Sequence, residues 1–204
     1  MRSVPTPLAA LAVTLALAAP ASRAAGVVAT VTDAAGRPLA DAVVMLEPTG
    51  AKLPVKPLAG VEIAQRSRAF QPALTVVTVG TPVSFPNFDT VRHHVYSFSP
   101  AKTFELKLYA GVPSTPVVFD KPGAAVLGCN IHDRMSAWVL VVDTPHYARS
   151  GTDGRARIDG VSPGSYRLRA WHAGLVPGQE PAPQPLTVGT ADLDSRVDLP
   201  VSAP

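Results

Sequence analysis

AAVLGCNIHDRMSAWVLVV, Ala124 to Val142, sets two apolar runs either side of one short polar loop. The first run ends at Gly128-Cys129. The second, AWVLVV (Ala137 to Val142), is uninterrupted and strand-length, the pattern of a strand buried on both faces. Working outward, similar short runs recur between turn signals: Gly26–Val31, Asp41–Glu47, Ala73–Val79, Pro82–Phe85, His94–Phe98, Phe104–Leu108 and Pro116–Phe119. Tyr166 to Ala170 alternates polar and apolar residues, so one of its faces is wet. Asp33–Pro38 and Gly151–Gly154 carry turn chemistry, and Pro48–Gly60 reads as a linker. The 22 prolines among 204 residues are spread along the whole chain, which leaves no room for long helices. The expected class is all-β, built from β-sandwiches.

Composition removes several function classes. Apolar residues make up 47%, charged residues 16% and the net charge is +3, which excludes a disordered chain. Eighteen Lys and Arg against fifteen Asp and Glu is too even for a nucleic-acid footprint. Met1-Arg2, then the apolar PLAALAVTLALAAP (Pro7 to Pro20), then Ala19-Pro20-Ala21 and Ser22-Arg23-Ala24, read as an export signal at residues 1–24, cut after Ala21 or Ala24. The apolar run is too short to span a bilayer. Cleavage after Ala24 removes Arg2 and Arg23 and no acid, so part of the basic balance belongs to the leader. The expected location is the periplasm, as a soluble protein.

Export sharpens the meaning of the single cysteine, Cys129. A lone thiol in an oxidising compartment is expected to be buried, paired with another chain or held by a metal. Cys129, His132 and Met135 leave one tight loop between two strands and can converge on one point. Thiolate, imidazole and thioether suit copper better than zinc or magnesium. A second imidazole must come from elsewhere, and His93 and His94 open the segment HHVYSF. Neighbours on a strand point to opposite faces, so only one of the two reaches the loop. Two His and a thiolate in a plane with a weak axial Met is the blue-copper arrangement.

The residues GTPVSFPN (Gly80 to Asn87), the His-x-Val at His93 and Val95, and the C-x2-H-x2-M loop resemble the cupredoxins. The resemblance covers about residues 62–143 and implies a Greek-key β-sandwich with copper held by His93, Cys129, His132 and Met135. The short gap between His132 and Met135 resembles amicyanin more than plastocyanin. Over IAQRSRAFQPALTVVTVGTPVSFPN, VRHHVYSFSPAKTFELKLY and VLGCNIHDRMSAW the chain is most similar to the cupredoxin-like methylamine utilization proteins. It departs from the family in having Ile131 where amicyanin and plastocyanin have Pro, and His94 where Asn usually follows the first His.

VTDAAGRPLADAVVMLEP (Val31 to Pro48) and TDGRARIDGVSPGSYRLRAWHAGL (Thr152 to Leu175) resemble the two parts of one carboxypeptidase regulatory-like domain, a small prealbumin-like β-sandwich. The resemblance implies a first part at residues 25–50, an inserted cupredoxin domain at 51–148 and a second part at 149–204. Together the resemblances imply a non-enzymatic, periplasmic carrier of single electrons with one copper ion and a redox protein as partner. The alternative is a module that senses, stores or delivers copper while the prealbumin-like sandwich docks on a protein or glycan.

Gly160-Val161-Ser162-Pro163-Gly164 matches G-x-S-x-G, but a strand rather than a helix is expected after it, so it reads as a turn and not as a hydrolase site. His146 and His172 lack convergent partners in the sequence and are expected to be structural or solvated.

Overall fold

The computed structural model describes residues 24–176 and 178–202; the expected leader lies outside them, except for Ala24. In chain order the strands are β1 (Ala25–Thr32), β2 (Val43–Pro48), β3 (Val61–Glu62), β4 (Ala64–Arg66), β5 (Ala69–Gln71), β6 (Leu74–Thr78), β7 (Thr81–Ser84), β8 (His93–Ser99) and β9 (Lys102–Tyr109). They continue with β10 (Val117–Phe119), β11 (Gly123–Gly128), β12 (Ser136–Val142), β13 (Tyr147–Arg149), β14 (Arg155–Val161), β15 (Gly164–Trp171), β16 (Gln184–Val188) and β17 (Leu193–Asp198). The protein is all-β, and no helix occurs among the described residues.

Sheet membership follows position along the chain. Strands from the two ends form the orders β14-β1-β17 and β13-β2-β15-β16. Strands from the middle form β6-β12-β11-β8-β9, β10-β7-β3 and the β4-β5 hairpin. The five-stranded sheet is antiparallel except where β6 runs parallel to β12. Strand β13 straddles residue 148, because Tyr147 already pairs with Met45 of β2. The Ser162-Pro163 turn links β14 in one sheet to β15 in the other, and Tyr166 Oη donates to the Ser162 carbonyl at 2.9 Å. A strand follows that G-x-S-x-G, as the sequence indicates.

Strand β12 explains its own composition. Ala137, Val139 and Val141 enter the core of the middle sandwich with Ile63, Phe85, Val95, Phe119 and Leu127. Leu140 and Val142 enter the core of the terminal sandwich with Val27, Val31, Val44, Leu46 and Leu168. Successive side chains of a strand point to opposite faces, so a strand between two apolar cores must be apolar throughout. Leu74 of β6 joins the terminal core too, and Trp138 meets Trp171 edge-on with ring centroids 5.3 Å apart. The two sandwiches therefore share buried surface.

Candidate metal centre

Strand ends deliver the group. β11 stops at Gly128 and β12 begins at Ser136, so the seven residues between them close one end of the five-stranded sheet. The loop is tight: the Met135 N–H donates to the His132 carbonyl at 2.9 Å. Cys129 and Met135, at its two roots, are both buried in the middle core at 4% and 2% exposure. His132, at its tip, is half-buried between exposed Ile131 and Asp133. Gly128 is required by its neighbour: a Cβ there would lie 2.6 Å from Tyr96 Cζ, on the ring of the adjacent strand.

The second imidazole comes from the start of β8. Its approach is pinned by buried Asn87, whose Nδ2 donates to the carbonyls of Val91 and Tyr109, each at 2.9 Å. The Asn87 Oδ1 accepts the Asp89 N–H at 2.9 Å. His93 then falls at a fully buried position. A register irregularity between His93 and Val95 interrupts simple alternation. His94 turns elsewhere and pairs through Nε2 with Glu105 Oε1 at 2.9 Å. Of the two adjacent histidines, His93 joins the loop.

Cys129 Sγ lies 3.9 Å from His93 Nδ1 and 3.9 Å from His132 Nδ1. The three donor atoms of His93, Cys129 and His132 all lie within 4.8 Å of one another and could hold one metal ion. The spacing is that of a shared ion. Bonds of about 2.3 Å to sulfur and about 2.1 Å to nitrogen give S···N of about 3.8 Å at a trigonal angle and about 3.6 Å at a tetrahedral one. The observed 3.9 Å lies close to both, so one ion could be shared by the sulfur and each nitrogen.

The protonation pattern of His93 follows from Asp89. His93 Nε2 lies 2.8 Å from Asp89 Oδ2. Burial would push the Asp89 carboxyl up, but hydrogen bonds from the Arg68 N–H, His93 and the Ser67 N–H outweigh it and hold it below the ordinary carboxylate range. An ionised carboxylate only accepts, so Nε2 donates to Asp89, while Nδ1 is the ring nitrogen that faces Cys129. Nearby, Tyr109 Oη donates to the Phe85 carbonyl at 2.6 Å and accepts from Gln65 Nε2. Burial, opposed by the Gln65 bond, pushes the Tyr109 phenol up to about 12.

The remaining histidines lie outside the group. His146 meets the Tyr166 ring at 6.1 Å, and His172 Nδ1 accepts the Gly174 N–H at 3.0 Å. Sequence reasoning missed Asp89, Tyr109 and Gln65. Only the four-residue spacing of Asp89 and His93 hints at the first, and nothing in the sequence alone pairs Gln65 with Tyr109.

No family model matches the chain, and no curated protein does. Among solved structures it is similar to a purple cupredoxin from Nitrosopumilus maritimus, at 21% identity and a TM-score of 0.36 over 40% of this chain and 99% of that one. A reduced Cu(I) form of an amicyanin variant is similar at 14% identity and a TM-score of 0.38, over 48% of this chain and 98% of that one. A copper-containing nitrite reductase from Thermus scotoductus is similar at 25% identity and a TM-score of 0.38, over 48% of this chain and 25% of that one.

Proposed function

We propose that the chain is an exported type 1 copper protein that carries single electrons. One observation carries this reading: two imidazole Nδ1 atoms stand 3.9 Å from one buried cysteine sulfur, close enough for the three to share one ion. A soft thiolate with two imidazoles suits copper, and copper bound there supplies a one-electron Cu(I)/Cu(II) couple. A buried thiolate needs a positive partner, which a metal provides.

The chain's own residues do the rest. His93, Cys129 and His132 would hold the ion. Met135, buried at the root of the same loop, would be the weak axial ligand. The fully buried His93 and the Gly128–Ser136 strand ends keep the ligands in place, so little rearranges between oxidation states. His132 is the least buried of the three donors and stands beside exposed Ile131, which makes it the edge where electrons enter and leave.

The finer readings follow the sequence resemblances. Residues 51–148 would be the copper-binding insertion, and 25–50 with 149–204 the prealbumin-like sandwich that hosts it. The proposed partner is a periplasmic redox protein, and a methylamine-oxidising system is the setting the resemblance implies. No helix among the described residues is long and apolar enough to cross a membrane.

The test is titration of the purified metal-free protein with Cu(II), followed by visible and EPR spectra and voltammetry. A strong thiolate–Cu(II) band at one equivalent and a reversible one-electron wave are expected. No coloured complex would overturn the copper reading. Colour without a reversible wave would favour copper storage or delivery.

A further inference from the structure

The β4–β5 hairpin contributes no donor to the metal group, yet it is fastened to the segment that leads into His93. The register Arg66↔Ala69 leaves a loop of only two residues, Ser67 and Arg68. Both have positive φ, 52° and 60°. Such a tip favours Asn-Gly, because both residues sit in the left-handed region. Ser-Arg is a poor choice for the turn alone. What the conformation achieves is an aim: both tip amides point at one carboxylate. The Ser67 N–H donates to Asp89 Oδ1 at 2.7 Å and the Arg68 N–H to Asp89 Oδ2 at 2.9 Å.

Three further contacts lock the hairpin to the Asp89 segment. The Gln65 N–H donates to the Pro86 carbonyl at 2.8 Å, and the Phe88 N–H donates back to the Gln65 carbonyl at 2.9 Å. The Arg66 guanidinium lies over the Phe88 ring at 3.7 Å from its centroid. Asp89 thus meets two fixed donors on one side and the His93 Nε2–H on the other.

We propose that this hairpin is a positioning element for the metal centre: its tip amides orient Asp89, and Asp89 sets the ring orientation and Nε2–H tautomer of His93, leaving Nδ1 free to ligate. The proposal rests on the copper reading only for its last step. A carboxylate behind a ligating histidine fixes its tautomer and raises its basicity. Here that carboxylate is itself held by backbone from a separate hairpin, so the tautomer depends on tertiary docking.

The experiment uses the full chain. In the metal-free protein, nitrogen–proton NMR of the His93 ring is expected to show the Nε2–H form alone. The Ser67 and Arg68 amides, although on exposed residues, are expected to exchange slowly. Exchange of both at unprotected rates would overturn the proposal without any variant. Asp89→Asn, which keeps one acceptor oxygen and replaces the other by an NH2 donor, should mix the His93 tautomers, release at least one of the two amides and weaken copper binding by about 10- to 100-fold in a chelator competition. If Asp89→Asn freed an amide but left the tautomer and copper affinity unchanged, Asp89 would serve only the hairpin, and the proposal would fall. If wild-type protein binds no copper, the copper reading fails, and the tautomer and exchange results still decide the relay.

Discussion

Replacing Leu140 by Ala asks whether the two sandwiches behave as one cooperative unit. Leu140 is on β12, which also supplies Val139 and Val141 to the metal-side core, but its own side chain is 4% exposed in the terminal core. A buried Leu→Ala change costs about 2–5 kcal/mol, through lost transfer energy and a residual cavity. For a chain of this size each kcal/mol moves the melting temperature by about 2–4 °C. A mid-range loss of about 3 kcal/mol thus corresponds to about 6–12 °C. Leu127→Ala, at a fully buried site in the metal-side core, should cost a similar amount. Because Leu74, Leu140 and Val142 are buried among terminal-sandwich residues, both variants should lower one shared transition. The assay is calorimetry with parallel far-UV circular dichroism and tryptophan fluorescence, since the Trp138–Trp171 pair joins strands of the two sandwiches. Cu(II) should raise the transition of Leu140→Ala as well as that of Leu127→Ala. Two resolved transitions, with Leu140→Ala moving only one of them, would refute the reasoning and make the sandwiches independent. By the same reasoning, replacing residues 51–148 with a short Gly/Ser link should leave a destabilised terminal sandwich, because it removes those three buried side chains and cuts into β13.

Four other outcomes are expected. Cys129→Ser should abolish the visible Cu(II) band, whereas His94→Ala, which removes the partner of Glu105, should leave it; loss of colour in His94→Ala with retention in His93→Ala would move the ligand from His93 to His94. Met135→Gln should keep the colour and lower the reduction potential, because a harder oxygen favours Cu(II); an unchanged potential with a clear drop in melting temperature would assign Met135 to packing alone. Tyr109 should ionise at about 12, above the ordinary 10.0 of a tyrosine. Its neutral form is favoured by folding, so its contribution to stability is complete below about pH 10 and is lost as pH rises towards about 12; Tyr109→Phe should flatten that alkaline decline in a denaturation series. Mass spectrometry of the exported protein should find a mature chain beginning at Ser22 or Ala25, and an intact Met1 would refute cleavage.

Much of the His93, Cys129 and His132 group was legible because the loop chemistry is local. Cys129, His132 and Met135 sit within seven residues, and a loop that short between two strands leaves them few directions to point. The all-β class was legible from proline spacing and from short apolar runs, because both act through the backbone at the residue concerned. The unbroken AWVLVV run announced burial on both faces without saying against what. It took the sheet order to show that one face meets the metal-side core and the other the terminal core.

The hairpin β4–β5 stayed hidden because its tip is Ser67-Arg68, with neither Gly nor Asn to mark a tight turn. Its role depends on Asp89, more than twenty residues away, and that contact exists only once both segments are docked. The choice between His93 and His94 is of the same kind. Composition offers two adjacent imidazoles; the irregular register against β9 sends His93 to Cys129 and His94 to Glu105. The donor types, the loop that gathers two of them and the strand class that carries it are written in the residues and their spacing. Which histidine completes the group, and which carboxylate orients it, is settled only when the strands pair and the hairpin docks, because register and docking are long-range contacts that no neighbouring residue encodes.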